Sequence, residues 1–156
     1  MIRMARIEDI DSIVKLRIEL LNEANKNIEN YDWDKYSSIL KAFYYESLSN
    51  RRVIAFLVEE KGSIVATSMV CFYNITPSLH NLEGKMALLT DMYTIPTYRK
   101  KGFGMALLKN TMECVKKLGY LKVVLNATDS GRKLYEKYGF KVVAGEMFYK
   151  FKEQSK

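Results

Sequence analysis

The sequence has few of the residues that bind metals or form disulfides. It contains two cysteines, Cys71 and Cys114, which lie far apart without a CxxC pair, and a single histidine, His80. A structural zinc site needs several such ligands at characteristic spacings, and none of these spacings is present. We therefore expect no metal centre, and we interpret both cysteines as small core residues.

Long apolar runs are also missing. No segment approaches the unbroken apolar stretch that a membrane-spanning helix requires, and residues 1–6 carry charge directly before a helical pattern, unlike a secretory signal. The composition, 48% hydrophobic and 12% aromatic, is far from that of disordered chains. We expect a soluble, cytoplasmic protein that does not bind membranes, with one domain over residues 1–156.

The net charge is +7, which by itself fits a polyanionic partner, an anionic small ligand or solubility alone. The lysines are scattered along the chain, and no aromatic-basic motif of a nucleic-acid-binding domain is interleaved with them. The sequence therefore does not favour a nucleic-acid partner.

Hydrophobic periodicity predicts the order strand, two helices, three strands, helix, strand, helix, strand. The predicted strands cover residues 1–5, 52–59, 64–73, 86–95, 121–126 and 140–151, and the predicted helices cover residues 10–24, 36–48, 104–118 and 130–138. This order indicates a single mixed sheet covered by helices. The polar stretch 22–34, between the first two helices, is predicted to be a loop beside the binding site.

A strand-to-helix junction concentrates glycines and cations. Arg99, Lys100 and Lys101 precede Gly102 and Gly104, after a strand that ends at Pro96. The first N–H groups of a helix have no partners within it, so a glycine-bearing loop there can wrap an anionic phosphate closely. The same pattern also fits an ordinary helix start with solvated lysines.

Two motifs resemble those of a known family. Residues 99–104, Arg-Lys-Lys-Gly-Phe-Gly, resemble the Arg/Gln-x-x-Gly-x-Gly/Ala acetyl-CoA motif of the GNAT superfamily of N-acyltransferases. Residues 134–140, Leu-Tyr-Glu-Lys-Tyr-Gly-Phe, resemble that family's Leu-Tyr-Glu-Lys-x-Gly-Phe signature at the expected distance downstream. The element order also fits, so the resemblance covers essentially the whole chain. A Rossmann GxGxxG fingerprint and a Walker-type phosphate loop are absent.

The resemblance implies an α+β (mixed α/β) fold of the GNAT type, with a central mixed, mostly antiparallel sheet of about six strands flanked by four helices. It implies acetyl-CoA as cosubstrate, an amine acceptor of unknown identity and no metal. Family members often pair, so a homodimer is compatible with it. The implied coenzyme contacts are Met92, Tyr93, Thr94, Arg99, Lys100, Lys101, Gly102, Phe103, Gly104, Met105, Asn126 and Ser130.

Acetyl transfer needs a neutral amine, polarisation of the thioester carbonyl and protonation of the departing thiolate. The resemblance implies that Tyr135 protonates the thiolate, since a phenol with a pKa near 10 can donate to a thiolate of comparable basicity. Without the motif, Tyr135 is interpreted as a half-buried helix aromatic. A backbone N–H near Met92 would polarise the carbonyl.

The base that accepts the amine proton is left open. Asp91 precedes the implied pantetheine strand and is either a catalytic base or an ion-paired strand residue. Amino-terminal acetyltransferases of the family carry a carboxylate where this chain has Asn126, which cannot act as a base. We therefore expect a water relay, Asp91 or bulk solvent to take the proton.

Two functions are consistent with these motifs. The first is an N-acetyltransferase that acetylates a primary amine of a small molecule or peptide by direct attack in a ternary complex. The alternative is a catalytically silent acyl-CoA-binding regulator, and the presence of Tyr135 favours the enzyme.

Overall fold

The computed structural model describes residues 1–151. Within this range the chain forms five strands and four α-helices, joined in part by short 3-10 turns at Ile7–Asp9 and Pro96–Tyr98. The strands are β1 (Ile2–Met4), β2 (Val53–Glu60), β3 (Ser63–Asn74), β4 (Lys85–Thr94) and β5 (Val123–Val124); the helices are α1 (Ile10–Ala24), α2 (Trp33–Ser49), α3 (Phe103–Lys117) and α4 (Asp129–Tyr138). Every helix in the described range is too short or too polar to cross a membrane.

The strands form one sheet in the order β1-β2-β3-β4-β5. The first four strands pair antiparallel, and β4 pairs with β5 in parallel. The predicted α+β architecture, with a mixed, mostly antiparallel sheet and four helices, is confirmed. The described residues form five strands, one fewer than the sequence predicts.

The predicted last strand, over residues 140–151, is wrong. The backbone there is irregular, and a turn at residues 144–145, with Gly145 at a φ of +107°, interrupts the run. A strand persists only where its N–H and C=O groups find a ladder partner, and β5 is itself only two residues long, shorter than the predicted 121–126.

Both faces of the sheet are covered. Helices α1 and α2 pack on one face, where Ile13, Tyr44 and Met69 are almost fully buried. Helix α3 packs on the other face through Leu107 and Val115. Each buried aliphatic side chain contributes about 1.5–3 kcal/mol by leaving water. The two layers thus fix β4 between the α1–α2 pair and α3.

Candidate functional site

A cavity of about 350 Å³ lies beyond the point where β4 and β5 stop pairing. Their ladder is confined to Ala87–Val123 and Leu88–Val124, so the C-terminal half of β4 has no β5 partner. The cavity is lined by that half of β4, by the loop that follows it, by the first turn of α3 and by α4. The sheet therefore leaves a strand edge open to a ligand.

The loop before α3 has a backbone suited to an anion. Lys100 and Gly102 both have positive φ, +63° and +83°, and Gly102 is the N-cap of α3. A glycine cannot cap a helix with a side chain, and the first turn of α3 contains no acidic residue. The N–H groups of that turn and the positive end of the helix dipole are therefore available to a phosphate.

Arg99, the first cation of this loop, already has partners. Its guanidinium contacts the Glu23 carboxylate of α1, with 2.5 Å between Nη2 and Oε2, and its Nε donates to the Thr94 carbonyl at 2.9 Å. It also lies 5.5 Å from the centre of the Tyr93 ring. Hydrogen bonding from Arg99 lowers the pKa of Glu23 below its usual value. This pair joins the loop to the first helix across the cavity.

Tyr135 lines the opposite wall of the cavity. Its ring is half-buried, and this burial raises the pKa of the phenol above 10, so that the hydroxyl keeps its proton near neutral pH. Gly131, one turn earlier in α4, makes room for the ring, because a Cβ there would lie 3.2 Å from Tyr135 Cε2. Phe140 packs edge-on against the ring at 5.8 Å. Tyr135 is thus a protonated hydrogen-bond donor at the cavity.

Asp91 lies beside the cavity rather than on its surface. Its side chain is 6% exposed, and Oδ1 accepts from Arg17 Nη1 at 2.6 Å while Oδ2 accepts from the Tyr44 hydroxyl at 2.7 Å. Burial is the largest single effect on Arg17 and works against its charge, but the Asp91 carboxylate and the Tyr36 and Tyr44 hydroxyls together outweigh burial and raise the pKa of Arg17. Burial and the charge of Asp91 together raise the pKa of Tyr44. The geometry supports the ion-paired interpretation of Asp91.

The structure brings most of the predicted site residues to one cavity. The residues that line it are Met92, Tyr93, Thr94, Arg99, Lys100, Gly102, Phe103, Gly104, Ser130 and Tyr135. Asp91, Lys101, Met105 and Asn126 do not line it. The ammonium of Lys101 lies over the Tyr98 ring, at 4.7 Å from its centre, and Asn126 lines a separate cleft between β5 and the C-terminal side of α4.

The cavity lining also includes residues that the sequence did not indicate, among them Leu20 of α1 and Thr67 of β3. The Thr67 hydroxyl is buried and has no hydrogen-bond partner among residues 1–151. No motif marks either residue, because Leu20 reaches the cavity through the packing of α1 on the sheet and Thr67 through the pairing of β3 with β4. Glu23 lies in the stretch 22–34 that the sequence predicts to be a loop, but the structure places it in the last turn of α1.

The cysteines stay apart in the fold. Both are free and partly buried, and burial raises the pKa of both thiols, that of Cys71 to about 11. Among residues 1–151, no three His, Cys, Asp or Glu side chains are grouped so that they could hold a metal ion.

Comparison with known proteins identifies the family. Residues 51–142 match the acetyltransferase (GNAT) domain model, which is more than half of the chain. The chain therefore belongs to the GNAT acetyltransferase family, as the motifs predicted. It is an acyltransferase of the class whose reaction is acetyl transfer. The chain matches no curated protein sequence.

Solved structures share the whole fold. A predicted acetyltransferase from Clostridium acetobutylicum, solved with acetyl-CoA, has a TM-score of 0.87 and 27% identity, with 96% of this chain and 95% of that chain covered. A GCN5-related N-acetyltransferase from Ralstonia eutropha JMP134 has a TM-score of 0.86 and 22% identity, with 97% of each chain covered. Glucosamine-6-phosphate N-acetyltransferase from Arabidopsis thaliana has a TM-score of 0.68 and 22% identity, with 97% and 98% covered.

Proposed function

We propose that this protein transfers the acetyl group of acetyl-CoA to a primary amine of a small molecule or peptide, by direct attack of the amine in a ternary complex. One observation carries the proposal: the amide-lined loop at Gly102 and the protonated phenol of Tyr135 face the same cavity, beside the open edge of β4. The cavity thus combines an anion site with a proton donor.

The coenzyme would bind mainly through backbone groups. Its pyrophosphate would lie on the amides of residues 100–105, where Lys101 and Met105 contribute N–H groups although their side chains do not line the cavity. The pantetheine arm would extend along Met92–Thr94, which lack a β5 partner. Ser130, which lines the cavity from α4, would contact the arm. Asn126 lies in a different cleft and receives no coenzyme contact in this proposal.

The reaction needs few protein groups. The neutral amine attacks the thioester carbon, a C–N bond forms, and the C–S bond breaks as the tetrahedral intermediate collapses. A backbone N–H at Met92 would stabilise the oxyanion. Tyr135 would give its proton to the departing thiolate and regain one from solvent. The high pKa of its buried phenol keeps that proton in place until the thiolate forms.

The amine proton would leave through water. A base must reach the amine, but Asp91 does not line the cavity, and its carboxylate is held against Arg17 and Tyr44. We therefore assign Asp91 to positioning rather than to proton abstraction. Glu23, at the mouth of the same cavity, carries a negative charge that would attract a cationic amine before it loses its proton.

A screen for thiol release tests the function. The intact protein with acetyl-CoA is offered alkylamines, polyamines, aminoglycosides and peptides with free amino termini, and free coenzyme A is measured with a thiol reagent. We expect at least one primary amine to stimulate thiol release above the hydrolytic background, with an acetylated product detected by mass spectrometry. Tight acetyl-CoA binding without transfer to any amine in these classes would instead favour the silent regulator.

We further propose that the chain forms one domain, acts in the cytoplasm and pairs as a homodimer. A single sheet, whose strands lie between Ile2 and Val124, supports the first point, and two free thiols fit a reducing compartment. Exposed apolar side chains near the C-terminus, such as Val143 and Phe148, offer a surface for pairing. Light scattering on the purified protein tests the dimer, since a monomer mass at micromolar concentration would contradict it.

A further inference from the structure

A bulge interrupts the β3–β4 ladder beside the cavity. Met69 pairs with Thr90 and Thr67 pairs with Tyr93, so that Ser68 alone lies opposite both Asp91 and Met92. Two residues against one is the pattern of a β-bulge, which bends the strand and re-aims the groups that follow. Asp91 adopts a φ of +50°, in the left-handed region that aspartate enters more readily than most residues.

Two helices hold this bulge through one carboxylate. Arg17 on α1 contacts Asp91 Oδ1 at 2.6 Å, and Tyr44 on α2 donates to Oδ2 at 2.7 Å. Tyr44 is almost fully buried, and Asp91 has little exposure to solvent. Thr90 also donates to Oδ1, at 3.2 Å. The carboxylate is therefore fixed from two directions in a site that water hardly reaches.

Such bonding restricts the backbone of Asp91. If Asp91 took an ordinary strand conformation, its Cβ would turn and the carboxylate would leave both donors. A left-handed non-glycine residue persists only where its surroundings hold it in place, and such residues cluster at functional sites. The residue that follows the held position is Met92, the first cavity-lining residue of β4.

We propose that Arg17 and Tyr44 are positioning residues for acetyl transfer: acting through Asp91, they hold the β4 bulge so that the Met92 N–H faces the thioester carbonyl of the coenzyme. This inference rests on the proposed function, because it presupposes acetyl-CoA in the cavity. In this proposal the buried carboxylate of Asp91 positions the backbone and does not act as a base. Helices α1 and α2 therefore help to set the backbone conformation of β4 at the cavity.

The sequence offers a way to observe the Met92 amide alone. Residues 91–92 are the only Asp-Met pair in the chain, so carbonyl-¹³C aspartate combined with ¹⁵N methionine leaves a single carbonyl-linked amide signal. Acetyl-CoA and coenzyme A differ by the acetyl carbonyl. We expect the Met92 amide of the wild-type protein to shift differently with the two ligands, because only acetyl-CoA offers it that acceptor.

The test compares Tyr44→Phe and Arg17→Lys with the wild type. We expect both variants to bind acetyl-CoA with nearly unchanged affinity by calorimetry. The chemical shift of the Met92 amide should, however, differ little between the acetyl-CoA and coenzyme A complexes of these variants. With an acceptor in hand, kcat should fall by about tenfold or more and the KM for acetyl-CoA should change little. The two variants disturb Asp91 from different helices, so agreement between them supports positioning.

A matched control lies at the other end of the sheet. Asp9 is another buried carboxylate bonded to an arginine, Arg3, with both contacts at 2.8 Å, and it lies outside the cavity. Asp9→Asn should lower the melting temperature and leave the Met92 response intact. If Asp9→Asn abolished the response equally, general loss of stability would explain the effect and the inference would fail.

Two other results would overturn the inference. The first is an undiminished Met92 response and unchanged kcat in both Tyr44→Phe and Arg17→Lys. The second is a higher kcat in Tyr44→Phe together with a shift of the acidic limb of its pH–rate profile. In that case the Asp91 carboxylate, freed from its hydrogen bond to Tyr44, would be acting as the base. Failure of the wild type to bind acetyl-CoA at all is distinguishable from these, since it would overturn the proposed function itself.

Discussion

The guanidinium of Arg99 and the carboxylate of Glu23 form an ion pair across the mouth of the cavity, with 2.5 Å between Nη2 and Oε2. Arg99 belongs to the loop that would hold the pyrophosphate, and Glu23 belongs to α1. A phosphate and the carboxylate therefore compete for the same guanidinium. The pair links the coenzyme side of the cavity to the side from which an acceptor would enter.

We predict that Glu23→Gln tightens acetyl-CoA binding. The substitution releases Arg99 towards the phosphates, and because the pair is well exposed the gain should not exceed about 1 kcal/mol, or about fivefold in affinity. Calorimetry at low and high salt measures the gain in acetyl-CoA affinity, which should shrink as the salt concentration rises. Asp11→Asn is the control, since Asp11 is an exposed carboxylate of α1 paired with Lys41 away from the cavity. Unchanged or weaker binding at low salt would show that the Arg99 side chain does not reach the coenzyme.

We predict that Tyr135→Phe lowers kcat by about a hundredfold, the usual scale for loss of a general acid. The ring and its packing remain, so acetyl-CoA affinity should be almost unchanged. Steady-state kinetics with the identified acceptor and calorimetry with the coenzyme give the two values. Tyr138→Phe, a more exposed tyrosine of the same helix, serves as the control and should retain full activity. Equal turnover in Tyr135→Phe and the wild type would remove Tyr135 from the mechanism.

The pH dependence of turnover should carry the signature of a raised phenol pKa. Burial raises the pKa of the Tyr135 phenol above its usual value of 10. The hydroxyl therefore keeps its proton through the neutral range and loses it only in strongly alkaline solution. We expect kcat/KM to increase with pH as the amine becomes neutral and to decline only in strongly alkaline buffer. That decline should be absent from the residual rate of Tyr135→Phe. If kcat/KM of the wild type instead declined near neutral pH, and this decline were missing in Tyr135→Phe, the pKa of Tyr135 would not be raised.

The two glycines of the loop should respond differently to alanine. Gly102 has a φ of +83°, where a Cβ costs about 1–2 kcal/mol, so Gly102→Ala should destabilise the fold and weaken coenzyme binding. At Gly104 a Cβ would meet Leu134 at 3.5 Å, an ordinary contact. Gly104→Ala should therefore be close to neutral in both properties. Urea unfolding gives the free energy of unfolding of the two variants, and calorimetry gives their affinity for acetyl-CoA. Equal losses of stability and affinity in both variants would argue against a conformational role for Gly102.

The helices and the loop could be predicted from the sequence because their signals are local. Apolar spacing placed α3 and α4 to within one residue of their observed starts. The strand predicted at residues 140–151 failed because a strand depends on a partner elsewhere in the chain, and the two-residue β5 offers little edge.

The parts of the site that escaped prediction depend on distant residues. Asp91 accepts hydrogen bonds from Arg17 and Tyr44, which lie 74 and 47 positions away, and Glu23 contacts Arg99 over a separation of 76. The residues around Asp91 in the sequence do not predict a left-handed backbone conformation within a strand. The two motifs indicated the loop before α3 and Tyr135, since both lie within short segments whose conformation is set by their own residues.

Calorimetric titration of the intact protein with acetyl-CoA measures whether the loop and cavity bind the coenzyme. We expect a single site per chain with micromolar affinity, weakened in Gly102→Ala and retained in Tyr135→Phe. Absence of binding, or binding that is indifferent to Gly102→Ala, would contradict the assignment of the loop and cavity to the coenzyme.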